Sequence, residues 1–202
     1  MCGRYWIDDE MERELRAEFP FADDSLKSDP ESENSSAGTS IRDICPSQKT
    51  LTIENRKGQL ALSPVRWGFP SHDGRMIINA RSESVFEKKM FRNGIRRDRI
   101  VIPAAGFYEW NRRKEKYRFW RAGQPIMYLA AIADRFESER RFVILTTAAN
   151  ESMRCVHDRI PLILKRKELR DWVMDEQAAR QILSEIPPEL DCRGEYEQLT
   201  IF

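Results

Sequence analysis

The stretch Ile100-Val101-Ile102-Pro103-Ala104-Ala105-Gly106-Phe107-Tyr108-Glu109-Trp110 decides the fold class. Ile100 to Ile102 and Phe107 to Trp110 are short apolar and aromatic runs parted by Pro and Gly, and both read as strands. Downstream, Tyr117 to Trp120, Ile126 to Ile132 and Phe142 to Thr147 repeat the pattern at a spacing that suits an antiparallel sheet or barrel. Upstream, Leu51 and Ile53 alternate, Lys57-Gly58 marks a hairpin turn, and Leu60 and Leu62 alternate on the return. Val65 to Phe69 reads as another strand, stopped by Pro70, and Met76 to Ala80 as a short buried one. Helices flank this array. Asp9 and Glu12 form a capping-box pattern, and Met11, Leu15 and Phe19 continue it as an amphipathic helix that ends before Pro20. Ser82 is placed to cap a helix with Val85, Phe86 and Met90 on one face. Lys167 to Glu185 reads as helical, with a break at Asp175 allowed. Residues 1–202 are therefore expected to form a single α+β domain, a mainly antiparallel, barrel-like core with peripheral helices. Asp23 to Ser40, rich in Ser, Asp and Glu, is expected to be a mobile surface loop.

The chain has 202 residues, 34 basic and 33 acidic, and a net charge of +1, which excludes a globally basic nucleic-acid binder. Charge is nevertheless clustered. Arg92, Arg96, Arg97 and Arg99 form one basic group, and Arg112, Arg113, Lys114, Lys116 and Arg118 another. Such patches either bind phosphates or are simply solvated loops and strand edges. No apolar run reaches membrane-spanning length, and Asp8, Asp9 and Glu10 stand where a signal peptide needs an apolar core. The four cysteines, Cys2, Cys45, Cys155 and Cys192, lie far apart with no C-x-x-C pair, so neither a zinc site nor a disulfide framework is expected. A cytoplasmic monomer with reduced thiols, no metal, no cofactor and no membrane partner is the expectation.

Four residues stand out for chemistry. If Met1 is removed, Cys2 presents an α-amine and a thiol on adjacent carbons, both titrating near neutrality. The amine can condense with an aldehyde, and the thiol can then close a five-membered thiazolidine; the plainer alternative is a small residue after the start Met. Asn79 ends the apolar run Ile77-Ile78 and is followed by Arg81 at a helix start, a place suited to a phosphate. Equally, Asn79 could end the strand while Arg81 pairs with Glu83. Glu109, set among Phe107, Tyr108 and Trp110, is either a carboxyl with a raised pKa and an acid–base role, or an edge-strand partner for an arginine. His157, in Cys155-Val156-His157-Asp158-Arg159-Ile160-Pro161, is a proton shuttle or a structural His bonded to backbone. Its spacing from Cys155 does not suit a thiol-protease dyad. Trp67, Phe69, Trp110 and Trp120 are stacking surfaces for bases or core residues.

Together these pieces resemble the SRAP family, the SOS response-associated peptidase-like proteins that process abasic sites in DNA. The resemblance rests on Met1-Cys2-Gly3-Arg4-Tyr5, Arg66-Trp67-Gly68-Phe69-Pro70, Ile78-Asn79-Ala80-Arg81-Ser82-Glu83, Ile102-Pro103 with Gly106-Phe107-Tyr108-Glu109-Trp110, Thr146-Thr147-Ala148-Ala149-Asn150, and His157-Asp158-Arg159-Ile160-Pro161. It implies that Cys2, freed of Met1, captures the aldehyde of an abasic deoxyribose in single-stranded DNA as a thiazolidine crosslink. It further implies that Glu109 assists sugar ring opening, Asn79 positions the amine and the linked sugar, and His157 handles protons. Arg4 and Arg81 would hold phosphates, and Trp67 and Trp110 would shape the strand's path. Two departures are visible. Asp43 stands in Asp43-Ile44-Cys45-Pro46 where many members carry Asn, and its charge would oppose a nearby phosphate. Ser71-His72-Asp73 replaces a stretch that often holds a further Trp. A thiol autopeptidase using Cys2 and a non-catalytic single-stranded DNA binder are the competing expectations.

Overall fold

The computed structural model describes residues 2–21 and 40–195. Its strands are β1 (Arg4–Asp8), β2 (Ile41–Ile44), β3 (Lys49–Arg56), β4 (Gln59–Trp67), β5 (Phe69–Pro70), β6 (Met76–Ile77), β7 (Asn79–Arg81), β8 (Arg99–Ala104), β9 (Gly106–Trp110), β10 (Lys116–Trp120), β11 (Met127–Phe136), β12 (Glu139–Ala148), β13 (Arg159–Pro161), β14 (Ile163–Leu164) and β15 (Asp191–Glu195). The helices are α1 (Asp9–Glu18), α2 (Lys89–Arg97), α3 (Glu151–Arg154), α4 (Leu169–Met174) and α5 (Glu176–Ile182). Among the described residues no helix is long and apolar enough to cross a membrane.

The stretch 99–110 is two strands, as its pattern predicts, but they enter different sheets. The larger sheet runs β13-β12-β4-β3-β8-β11-β14, and an additional β11–β12 pairing closes β12, β4, β3, β8 and β11 into a barrel. All rungs of that ring are antiparallel except β12–β4. The smaller sheet runs β15-β10-β9-β1-β2 and is antiparallel throughout. The α+β, mainly antiparallel, barrel-like expectation therefore holds. Every residue of β8 is buried, because the barrel interior covers one face and α2 and α4 the other.

That burial includes Arg99, which corrects its place in the first basic cluster. Its guanidinium donates to the carbonyls of Trp172 (2.6 Å), Ile95 (2.8 Å) and Arg96 (3.0 Å), so it ties α2 and α4 to the barrel and is withdrawn from any phosphate. The indole of Trp172 donates in turn to the Ile100 carbonyl at 2.9 Å.

Several boundaries differ from the sequence expectation. The segments read as two strands around Leu62 and Val65 are one continuous β4; β12 pairs with it only at Arg66 and Trp67, so Pro64 sits where one side of the ladder is open. Met76 to Ala80 divides into β6 and β7, and Met76 is exposed. Ser82 opens a short 3-10 turn without capping it, Val85 drops straight into the core, and α2 begins only at Lys89. The α1 cap lies one residue early: Asp8 accepts from Met11 N–H at 2.8 Å, while Asp9 accepts from Ser40 N–H. Helix α1 does end before Pro20, and the C-terminal helix does break at Asp175, whose carboxylate caps α5. The loop expected over 23–40 lies, Ser40 apart, outside the described residues.

Candidate active site

Cys2 is carried to the site by β1, and β1 lies where it does because residue 106 is a glycine. Trp6 pairs with Gly106, and a Cβ there would sit 1.9 Å from the indole of Trp6 and 2.6 Å from the Phe119 carbonyl. The resulting register sets Arg4 opposite Tyr108 and leaves Cys2 just ahead of the strand, 1% exposed. Asn79 meets it there, donating from Nδ2 to the Cys2 carbonyl at 3.1 Å. Asn79 opens β7, which runs parallel to β12 with Asn79 opposite Ile144. The residue before it is fixed by Trp67, whose indole donates to the Ile78 carbonyl at 2.9 Å.

This corrects the expectation for Trp67. It is fully buried, packed 5.3 Å from the Tyr5 ring and stacked on Phe142, so it supports Asn79 from beneath and presents no face to a base. Phe69 is likewise core.

Glu109 lies on the inward face of β9 beside Phe107, 4% exposed, opposite Tyr117 of β10. Burial above all, and then the charge of Glu109, push the Cys2 thiol far above its ordinary pKa. The thiol therefore keeps its proton at neutral pH. Buried Cys2 lies within reach of the Glu109 charge, and partly buried Asn79 holds its carbonyl.

His157 lies in a groove whose lining includes none of Cys2, Asn79 and Glu109. The groove, about 1120 Å³, is lined by Trp110 at the end of β9, by Tyr117, Arg112 and Arg113 of the β9–β10 hairpin, and by Arg154 and His157 of the α3–β13 connection. Trp110 is shared with the N-terminal strand, since the Arg4 guanidinium lies 5.8 Å from its ring. Arg4 also pairs with Asp43 at 3.5 Å, and Asp43 accepts from the Tyr108 hydroxyl at 3.0 Å. The acidic departure at Asp43 thus anchors the arginine expected to hold a phosphate. His72 lies in an exposed turn. Arg81 ends β7 and is exposed; Glu83 pairs with Arg159, not with Arg81. Lys116 lies 3.9 Å over the Tyr108 ring and Arg118 4.7 Å over Trp6, a basic and aromatic surface on the outer face of the smaller sheet. Tyr117, Arg154 and Asp43 were not singled out as site residues from sequence. Drawing the β9–β10 hairpin register would have placed Tyr117 across from Glu109. Arg154 carries no local signal. Among the described residues no group of three or more His, Cys, Asp and Glu side chains is gathered to hold a metal ion.

Comparison with known proteins now decides the family. The sequence profile described as SOS response associated peptidase (SRAP) matches residues 1–194. The chain belongs to the SRAP family. Among its SRAP relatives, the abasic site processing protein YedK of Escherichia coli is 32% identical over 148 residues, covering 68% of this chain and 66% of that protein. The abasic site processing protein YoaM of Bacillus subtilis is 29% identical, covering 76% of this chain and 75% of its own. The abasic site processing protein HMCES of Xenopus tropicalis is 26% identical, covering 55% of this chain and 44% of its own. The YedK match thus stops just short of two thirds of that relative's length. For the SRAP chain's fold, a crystal structure of a Bacteroides thetaiotaomicron protein superposes with a TM-score of 0.77 at 19% identity, covering 96% of this chain and 91% of that one. A Bordetella bronchiseptica protein superposes with a TM-score of 0.75 at 22% identity, covering 97% of this chain and 100% of that one.

Proposed function

We propose that this protein captures abasic sites in single-stranded DNA by forming a thiazolidine crosslink through Cys2 once Met1 has been removed. The observation that carries the proposal is the hydrogen bond from Asn79 to the Cys2 carbonyl at 3.1 Å, with the buried carboxyl of Glu109 near enough to act on the Cys2 thiol. The names of the curated relatives supply the substrate.

The chemistry follows from the protonation state of the thiol. The α-amine adds to the ring-opened aldehyde and loses water to give an imine. The Cys2 sulfur then attacks the imine carbon, and the proton the thiol has kept goes to the imine nitrogen, so that S–H adds across C=N and nothing else is consumed. Glu109 serves as acid and base for sugar ring opening and the loss of water. Asn79 holds the N-terminal residue against rotation, a positioning role. His157, across Trp110, moves protons at the groove side, where strand cleavage or reversal of the crosslink would also occur. Arg4, Arg81, Arg112 and Arg113 face the phosphates, and Trp110 gives a stacking surface. A protonated, desolvated thiol is a poor nucleophile for peptide bonds, which disfavours a general thiol peptidase.

Incubating the processed protein with an oligonucleotide bearing one abasic site should give a band of retarded mobility that survives denaturation, and Cys2→Ala should abolish it. Wild-type protein lacking Met1 that yields no such band would overturn the proposal. Arg112→Ala with Arg113→Ala should lower the slope of log affinity against log salt by about 0.7 per charge for the single strand, read by fluorescence anisotropy.

A further inference from the structure

The inner face of the β9–β10 hairpin is a ladder of two rungs. On the first, Phe107 stands opposite Phe119, with ring centroids 5.2 Å apart and planes 12° from parallel. On the second, Glu109 stands opposite Tyr117. Side chains directly opposite in an antiparallel pair share one face, with Cβ atoms about 4.5–5.5 Å apart. Glu109 therefore has Phe107 two residues behind it, Phe119 on the diagonal and Tyr117 across. Phe107 and Phe119 are fully buried. Tyr117 is half-buried, and of these four residues it alone lines the groove that holds His157. The carboxyl stays buried although its strand ends at Trp110 in that same groove.

The hairpin also carries the groups that would spoil this arrangement. Arg112 and Arg113 at its tip stand in the groove wall. The tip is fixed by Asn111, whose Oδ1 accepts from the N–H of Arg113 at 2.9 Å and of Glu115 at 3.0 Å. A guanidinium is the strongest partner a carboxylate can find, and pairing with one would take Glu109 from the chemistry at Cys2. A tyrosine side chain is longer than that of a glutamate. From the opposite position the ring passes beside the carboxyl and ends in the groove.

We infer that Tyr117 is a positioning residue whose ring walls the Glu109 carboxyl off from the groove, keeping it dry and away from the hairpin's own arginines. The ring does this, and the hydroxyl is dispensable. Tyr117 acts through Glu109, so its functional meaning rests on the proposed role of Glu109. The wall itself is a property of the free protein.

Carboxyl access, read without DNA, gives the test. The full chain is treated with a water-soluble carbodiimide and glycinamide, and labelling of Glu109 is followed by peptide mass spectrometry, with exposed Glu151 as the internal reference. Glu109 should label slowly in wild type, about tenfold or more faster in Tyr117→Ala, and at the wild-type rate in Tyr117→Phe. At saturating abasic oligonucleotide, the first-order rate of adduct formation should fall about tenfold in Tyr117→Ala and return to within about twofold of wild type in Tyr117→Phe. The Kd for an intact single strand should stay within about twofold. If Tyr117→Ala does not fold, Tyr117→Leu, which keeps apolar bulk but not the ring, supplies the same comparison. A folded variant of either kind whose Glu109 labels no faster than wild type overturns the inference, as does faster labelling with an unchanged adduct rate. A Tyr117→Phe protein as impaired as Tyr117→Ala would overturn it too, by assigning the effect to the hydroxyl. Slow Glu109 labelling in processed wild-type protein that forms no adduct would instead sink the proposed function and leave the wall standing.

Discussion

Arg99 and Arg159 are both the first residue of a strand, and both are nearly withdrawn from solvent, but their surroundings differ in kind. Arg99 donates to backbone carbonyls of α2 and of α4, and among the described residues no carboxylate is bonded to it. Arg159 meets a half-exposed carboxylate and one carbonyl, and its Nε is buried with no partner among the described residues. Two more such atoms, Asn79 Oδ1 and Ser82 Oγ, lie on the same segment as Glu83. Buried polar atoms left unmatched cost about 1–3 kcal/mol each. Around Arg99 the polar groups are matched by carbonyls of two helices, whereas the segment of Asn79 and Ser82 and the Nε of Arg159 carry buried polar atoms with no partner among the described residues. Stability and the candidate chemistry are thus carried by different faces of the same ring.

That contrast can be broken from the scaffold side first. Arg99→Met should lower unfolding free energy by about 3 kcal/mol in a urea titration, because carbonyls of two helices lose their donor. The adduct rate per folded molecule should stay unchanged; a specific loss of rate would erase the division between faces. From the site side, Asn79→Ala should slow adduct formation about tenfold to a hundredfold while shifting the urea midpoint by no more than about 1 kcal/mol, since an unmatched oxygen leaves with the amide. The smallest effect belongs to Glu83. Its bond to Arg159 holds the Glu83 carboxyl below its ordinary pKa. A depressed carboxyl contributes stability above its unfolded pKa and loses it as pH falls through the folded value. Because Glu83 is about half exposed, the pair is discounted for screening, so Glu83→Gln should cost about 1 kcal/mol or less at pH 7, and wild type and variant should converge as pH falls below the lowered folded pKa of Glu83. A difference that persists at low pH would show that packing, not charge, is what Glu83 supplies.

Much of this was legible in the sequence. The strands of the stretch 99–110 announce themselves by apolar runs, and Asn79, Glu109 and His157 are polar residues set against such runs. What stayed hidden depends on partners distant in the chain. Arg99 looked like its basic neighbours because nothing local says that two helices will cover it. Trp67 looked like a stacking surface because the parallel β12–β4 rung that buries it joins residues far apart. Strand β1 was missed because five residues, Arg4-Tyr5-Trp6-Ile7-Asp8, carry charges at both ends, and only Gly106 explains why they lie flat against β9. The hairpin alternation around Lys57-Gly58 and the break at Asp175 were found because their causes are local.

The pairing of β1 with β9 also has a consequence for the order in which the molecule folds. Strand β1 and its partner β9 lie far apart in the chain, and β12, which seats Asn79, is farther still. Contacts of such sequence separation form slowly and late. Until these contacts form, Cys2 has no fold to bury it. Afterwards the same backbone is clamped by Asn79.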